Sequence, residues 1–102
     1  MALPTLTPQQ RQAALAKAQQ ARAARSALLA GLKAGTLTLA DVLSRDDDTA
    51  RRTRIAQVIR ALPGVGPARA AAVMERAGIP ADRRVGGLGA RQREQLLAEF
   101  AE

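Results

Sequence analysis

Hydrophobic residues recur along this chain mainly at spacings of three and four, the period of an amphipathic helix. The clearest case lies mid-chain, where four apolar residues follow the i, i+3, i+4, i+7 spacing of a buried stripe: Ile55, Val58, Ile59 and Leu62. No segment alternates polar and apolar residues for long enough to predict a strand. Helix-favouring Ala, Leu, Arg and Gln dominate the composition. The pattern predicts an all-α protein.

The first predicted helix is long and has a well-marked start. Thr7 is expected to be the N-cap, with Pro8 at the first helical position and Gln10 at the third, as in a capping box. Gly35 is expected to end the helix. The first half carries mainly alanines around Leu15, which bury little surface, so we expect it to project. Three leucines are expected to anchor the second half: Leu28, Leu29 and Leu32.

Two helices are predicted between residues 38 and 62. Thr38 followed by Asp41 predicts a short helix that runs to about Leu43. The acidic run at 46–48 is expected to be a linker that is also able to cap the next helix. The hydrophobic stripe then predicts one continuous helix over about 49–62, which Pro63 ends.

Two more helices complete the predicted fold. Pro67 begins one that runs to about Ala77 and stops at Gly78. The segment 79–89, IPADRRVGGLG, is predicted to be a loop with one turn after Pro80. A last helix begins at about Ala90 and is expected to bury three residues: Leu96, Leu97 and Phe100.

Several chemistries are excluded by composition. The sequence has no cysteine and no histidine, which rules out disulfides, thiolate nucleophiles, the common zinc-ligand sets and imidazole acid–base catalysis. We expect no metal and no cofactor. The start, MALPTLTPQQ, lacks the pattern of a signal peptide, and no apolar run approaches the roughly 18 residues of a membrane span. A cytoplasmic, soluble protein without membrane contact is therefore expected.

Charge gives the first indication of a partner. The formal net charge is +7, and 14 of the 16 basic residues are arginine. Residues 49–93 carry ten arginines against Glu75 and Asp82. Such a chain is attracted to polyanions, and arginine favours bidentate contact with phosphate. The alternative is a merely solubilising surface charge.

The segment LPGVGPARA at 62–70 predicts a hairpin between two helices. Pro63, Gly64, Val65 and Gly66 separate the helices, and Val65 is expected to fill the core. A structural corner needs only one glycine. A second glycine directly before a helix start leaves backbone N–H groups uncovered at the positive end of the helix, which predicts phosphate binding beside Arg69. A purely structural corner is the alternative.

A second glycine-rich turn, RRVGGLGAR, follows at 83–91. Arg83 and Arg84 precede it, and Gly89 opens a helix that carries Arg91 and Arg93. Alone it is compatible with a solvated turn. Together with the hairpin, it predicts phosphate contacts on both sides of a groove.

Three blocks of the sequence, MALPTLTPQQR, LPGVGPARAAAVMERAGI and RRVGGLGARQ, resemble in that order the actinobacterial integration host factor family. The resemblance covers essentially the whole chain and implies a helix-two-turn-helix domain, as in a small-subunit ribosomal protein and some DNA glycosylases. It implies a nucleoid-associated protein that binds duplex DNA with little sequence specificity, bends or compacts it, and assists site-specific integration beside a recombinase.

The resemblance also implies a set of DNA contacts. They fall on the hairpin at 63–66, on the loop pair Arg83 and Arg84, and on a basic pair that opens the central helix, Arg52 and Arg54. Two positions depart from the family pattern, because Pro67 and Gly86 stand where a lysine and an arginine are common. Weaker candidates for DNA contact are Arg51, Arg91, Arg93, Arg22 and Arg25.

The residues leave other interpretations open. A DNA glycosylase needs a catalytic amine or carboxylate and a pocket for a flipped base, whereas the only lysines, Lys17 and Lys33, lie in the first helix, so we expect no enzyme. Structured RNA is the alternative partner, although aromatic stacking residues are missing.

We expect two parts in the chain. An N-terminal, basic, alanine-rich helix occupies 1–35 and partly projects, and a compact helical DNA-binding domain occupies 36–102. Arg11, Arg22, Arg25 and Lys33 fall on one stripe of the first helix. That helix either lies along the DNA backbone or is a solvated arm, and a monomer is expected.

Overall fold

The computed structural model describes residues 5–100, and within this range it contains six α-helices and one 3₁₀ turn. They are α1 Pro8–Ala34, α2 Leu39–Ser44, α3 Asp48–Arg52, α4 Ile55–Ala61, α5 Pro67–Arg76, the 3₁₀ turn Val85–Gly87 and α6 Ala90–Glu99. The all-α prediction is confirmed. No described helix is both long enough and apolar enough to cross a membrane.

Helix α1 begins and ends where the sequence predicts. Thr7 and Gln10 form the capping box, and Gly35 ends the helix in the left-handed region at φ 83°. Residues 5–27 are all exposed, whereas Leu28 and Leu32 are buried and Leu29 is half-buried. The exposed part of α1 extends about 30 Å at 1.5 Å per residue. The molecule measures 52 × 32 × 25 Å as a result. The division of the chain into the parts 1–35 and 36–102 stays a prediction. Residues 1–4 of the first part and 101–102 of the second lie outside the described residues.

The prediction of one helix over 49–62 is wrong, because the chain leaves helical geometry at Thr53 and Arg54. Thr53 is buried, and its hydroxyl donates to the Thr49 carbonyl at 2.6 Å. The backbone here pairs with the distant glycine-rich loop, in an isolated antiparallel bridge between Arg54 and Arg84. Ile55 N donates to the Arg83 carbonyl, and Val85 N donates to the Thr53 carbonyl. These tertiary hydrogen bonds replace helical ones, so α3 and α4 are separate.

The core lies between the second half of α1 and helices α2 to α6. Ile55, Val58 and Ile59 are fully buried, as the stripe predicts, but Leu62 is only half-buried at the end of α4. Val65 is buried in the hairpin. The C-terminal prediction is correct for Leu96, which is fully buried. It is wrong for Leu97.

Leu97 is 38% exposed, because it lies on the outer side of α6, next to the groove that Phe100 lines. Phe100 is half-buried, with the Arg69 guanidinium 5.3 Å above its ring. The single aromatic side chain therefore packs partly against the core and partly against a cation.

The segment 79–89 contains more structure than a loop. The predicted turn after Pro80 is present, since Arg83 N donates to the Pro80 carbonyl at 3.0 Å. The bridge residue Arg84 and the 3₁₀ turn follow it. Arg93 of α6 donates to the carbonyls of Leu43 and Val85, which fastens the turn to α2. The glycine-rich segment is thus fixed against three other elements.

Candidate nucleic-acid interface

Four arginines from three parts of the fold line one surface cleft of about 460 Å³. Arg25 comes from α1, Arg52 from the end of α3, and Arg54 and Arg84 from the two sides of the backbone bridge. We call this group the arginine cleft. The break at Thr53 creates it, because the bridge sets Arg54 opposite Arg84 although 30 positions separate them in the sequence.

Within the described part of the chain, no salt bridge neutralises the positive charge of the arginine cleft. The salt bridges among residues 5–100 join Arg45 to Asp47, Arg51 to Asp46 and Arg76 to Glu99, and none involves the four cleft arginines. Asp48 is the one acidic residue among those that line the cleft. The hydrogen bond from Arg45 holds the pKa of Asp47 below its usual range, so that carboxylate is engaged elsewhere. Clustered, uncompensated guanidinium groups attract an anion such as a phosphate.

The hairpin has the geometry expected of an anion site. Glycine occurs at positions 64 and 66 for different structural reasons. Gly64 has φ 75°, a conformation that favours glycine. Gly66 is the N-cap of α5 with φ −90° and ψ 175°, which any residue adopts, and nothing lies within 4 Å of where its Cβ would be. No side chain caps α5. Glycine at 66 therefore leaves the positive end of α5 uncovered.

The hairpin and the arginine cleft belong to one surface. The hairpin lines its own cleft of about 640 Å³ with Lys33 and Arg60, and Gln57 of α4 lines both clefts. Gln57 and Lys33 line these clefts although they were not predicted as site residues. The signal for Lys33 was available, because Arg25 and Lys33 are eight positions apart on α1 and share a face.

Several predicted site residues lie outside both clefts and make contacts within the protein. Arg69 stacks over Phe100. Arg83 donates to the Gly87 carbonyl at 2.9 Å and supports the turn, while Arg93 is occupied by two backbone carbonyls. The N–H of Gly89, which opens α6, donates to the Gln92 side chain. The N–H of Gly89 is thus already bonded, but no side chain caps the first turn of α6, as is also the case at the start of α5.

Arg22 and Arg91 are exposed and line neither the arginine cleft nor the hairpin cleft. Pro67, where a lysine was expected from the family pattern, occupies the first position of α5 and carries no charge to the hairpin. Lys33 and Arg60 are the cations that line the hairpin cleft.

Comparisons with known proteins match residues 32–100 to the S13-like H2TH domain. The chain is 43% identical to "Integration host factor" of Streptomyces coelicolor, over 98% of this chain and 95% of that protein. The chain belongs to the integration host factor family of actinobacteria. "Integration host factor" of Mycobacterium tuberculosis is likewise 43% identical, over 98% and 97% of the two chains.

A solved structure of this integration host factor family is similar as well. It is described as "Structure of sIHF bound to an 8bp palindromic DNA", and it superposes with a TM-score of 0.81 at 37% identity, covering 83% of this chain and 98% of that one. The family resemblance and the helix-two-turn-helix fold predicted from the sequence are confirmed.

Proposed function

We propose that this integration host factor family member is an architectural DNA-binding protein of the nucleoid, which holds duplex DNA through its phosphates and bends or compacts it. One observation carries the proposal: four arginines that have no salt-bridge partner among residues 5–100 share one cleft, next to a hairpin whose helix start is uncapped. The relative described as bound to an 8bp palindromic DNA supports duplex DNA as the ligand.

The proposed contacts are to the backbone of DNA rather than to base edges. The guanidinium groups of Arg52, Arg54 and Arg84 form bidentate hydrogen bonds to phosphate oxygens, and Arg25 adds a contact from α1. The hairpin at 63–66 offers main-chain N–H groups to another phosphate. Contacts of this kind position a protein on DNA without reading its sequence.

The engaged arginines have a supporting role in this proposal. Arg83 holds the 3₁₀ turn and Arg93 holds the turn against α2, so both keep Arg84 in place. Arg69 flanks the hairpin from its position over Phe100. Phosphate contacts by Arg22, Arg51 and Arg91, at the edges of the surface, stay predictions.

Three further features of the proposal rest on the family resemblance. The relatives carry the name of a host factor rather than of an enzyme, so we propose binding without catalysis. Assistance to a site-specific recombinase and a monomeric state are parts of the same proposal. Duplex DNA is preferred over structured RNA in it.

Fluorescence anisotropy with a labelled random-sequence duplex over a salt series tests the proposal. Replacing Arg52 and Arg84 by Gln should lower the slope of log K against log salt by about 0.9 for each lost phosphate contact. Lys17→Gln removes one charge from α1 away from the clefts and is the control. An equal loss in the control would show that only net charge matters, and stronger competition by folded RNA than by duplex would favour RNA as the ligand.

A further inference from the structure

Two glycines in the 3₁₀ turn are not explained by backbone conformation. Among the described residues the glycines with positive φ are Gly35, Gly64 and Gly78, so Gly86 and Gly87 adopt angles open to other residues. Space for a side chain is limited at Gly86 by the side chain and main chain of Arg51, and at Gly87 by the flexible Arg83 side chain alone. A Cβ on Gly86 would lie 3.2 Å from Arg51 Cβ, Nε and carbonyl O, and one on Gly87 would lie 2.9 Å from Arg83 Cδ.

Arg51 therefore crosses directly over the 3₁₀ turn at Gly86. It lines a further cleft of about 450 Å³ with Asp48, Arg52, Arg84, Gly86 and Gly87. Arg52, Arg84 and Asp48 also line the arginine cleft, so they form a wall with one cleft on each side.

The existing partner of Arg51 is weak. Its guanidinium is 3.7 Å from the Asp46 carboxylate, and the side chains of Arg51 and Asp46 are 55% and 98% exposed. Exposed ion pairs of this kind contribute little, because water and salt screen both charges. A phosphate bound by Arg52 and Arg84 in the cleft that Arg51 also lines gives the Arg51 guanidinium a second, charge-assisted hydrogen bond. The bound phosphate displaces water that competes for the guanidinium.

We propose that Arg51 is a phosphate-binding residue. Gly86 is required because it lets the Arg51 side chain reach the cleft that Arg51 lines with Gly86 and Gly87. This inference rests on the proposed function. The arginine cleft and the cleft lined by Arg51 then each hold one phosphate of the duplex, on opposite sides of the wall that contains Arg52 and Arg84. The contact strengthens DNA binding without adding sequence preference.

Two substitutions separate the charge of Arg51 from its placement. Arg51→Gln removes the charge. It should reduce the magnitude of the slope of log K against log salt by about 0.9, and the DNA affinity at 0.1 M salt by about eightfold, as expected for the loss of one phosphate contact. Gly86→Ala keeps the net charge but displaces the Arg51 side chain. It should produce a similar loss of slope, whereas in an Arg51→Gln background it should have little further effect.

The controls distinguish this proposal from the proposed function itself. Lys17→Gln should leave the slope unchanged, Arg52→Gln should lower it, and calorimetry of every variant establishes that the fold is retained. If Arg52→Gln lowers the slope but Arg51→Gln behaves like Lys17→Gln, the Arg51 proposal is overturned and the proposed function stands. If no arginine variant lowers the slope, both fail. If Gly86→Ala unfolds the protein, the Arg51→Gln result alone decides.

Discussion

Replacing Thr53 by Val should destabilise the protein although the side chain keeps its shape. The Thr53 N–H donates to the Ala50 carbonyl, so the Thr49 carbonyl receives the Thr53 hydroxyl in place of the usual helical N–H. Thr53 is 1% exposed, and in the variant a buried methyl group takes the place of the hydroxyl, so no water donates from that position to the half-buried Thr49 carbonyl. The lost bond and the unsatisfied acceptor together cost about 1.5 kcal/mol of the free energy of unfolding.

Calorimetry measures the effect as a fall in Tm. For a domain of this size, 1.5 kcal/mol corresponds to a fall of about 6–12 °C. DNA affinity well below the Tm should not change, because the main-chain bonds of the Arg54–Arg84 bridge do not involve the hydroxyl.

Thr36→Val is the matched control for Thr53→Val. The Thr36 hydroxyl also donates to a backbone carbonyl, that of Gly31 at 3.2 Å, but at an exposed site. This control should cost less than about 0.5 kcal/mol, since the Gly31 carbonyl still accepts from the N–H groups of Thr36 and Leu37 and the site is open to water. Equal Tm values for the two variants would refute the conclusion that the buried Thr53 hydroxyl stabilises the break between α3 and α4.

Three other predictions concern the hairpin, the core and pH. Gly66→Ala should weaken duplex binding in the anisotropy assay and lower the Tm only slightly, because the methyl group meets no described protein atom but covers the N-cap of α5, where alanine is less favourable than glycine; a large fall in Tm with unchanged binding would contradict this. Leu96→Ala should cost about 2–5 kcal/mol in urea unfolding, whereas Leu97→Ala next to it should cost less than about 1, since only Leu96 is fully buried; equal losses would refute the assigned burial. Because the hydrogen bond from Arg45 lowers the pKa of Asp47, the stability from this carboxylate is present above its unfolded pKa of about 3.9 and is lost as the pH falls through the lowered value. With no histidine in the sequence, the Tm should stay level from about pH 5.5 to 7 and fall in acid, and Asp47→Asn should reduce that fall.

Local chemistry determined much of what the sequence predicts correctly. The capping residues Thr7 and Thr38 and the prolines at 8 and 67 are recognisable because a helix start depends on a few adjacent residues. The hairpin is recognisable for the same reason, since its prolines and glycines act on their own backbone.

The errors have tertiary causes. The break at Thr53 depends on backbone hydrogen bonds to residues 83–85, which a helical period at 49–62 does not reveal. The internal engagement of Arg83 and Arg93 depends on carbonyls brought close only in the folded chain. The charge of the sequence indicates that arginines bind the phosphates. Which arginines face the same cleft is determined by the fold.

The projecting part of α1 affects how unfolding of this protein is observed. Of the 27 residues in α1, those at 8–27 are exposed and none belongs to the hydrophobic core, yet they contribute to the helical signal in far-UV circular dichroism. A helix supported only by its own hydrogen bonds melts gradually, whereas the core unfolds cooperatively. Circular dichroism therefore reports the gradual melting of the arm together with the unfolding of the packed helices, whereas calorimetry or NMR of the buried methyl groups follows the core. The two regions of one chain are thus observable as separate transitions.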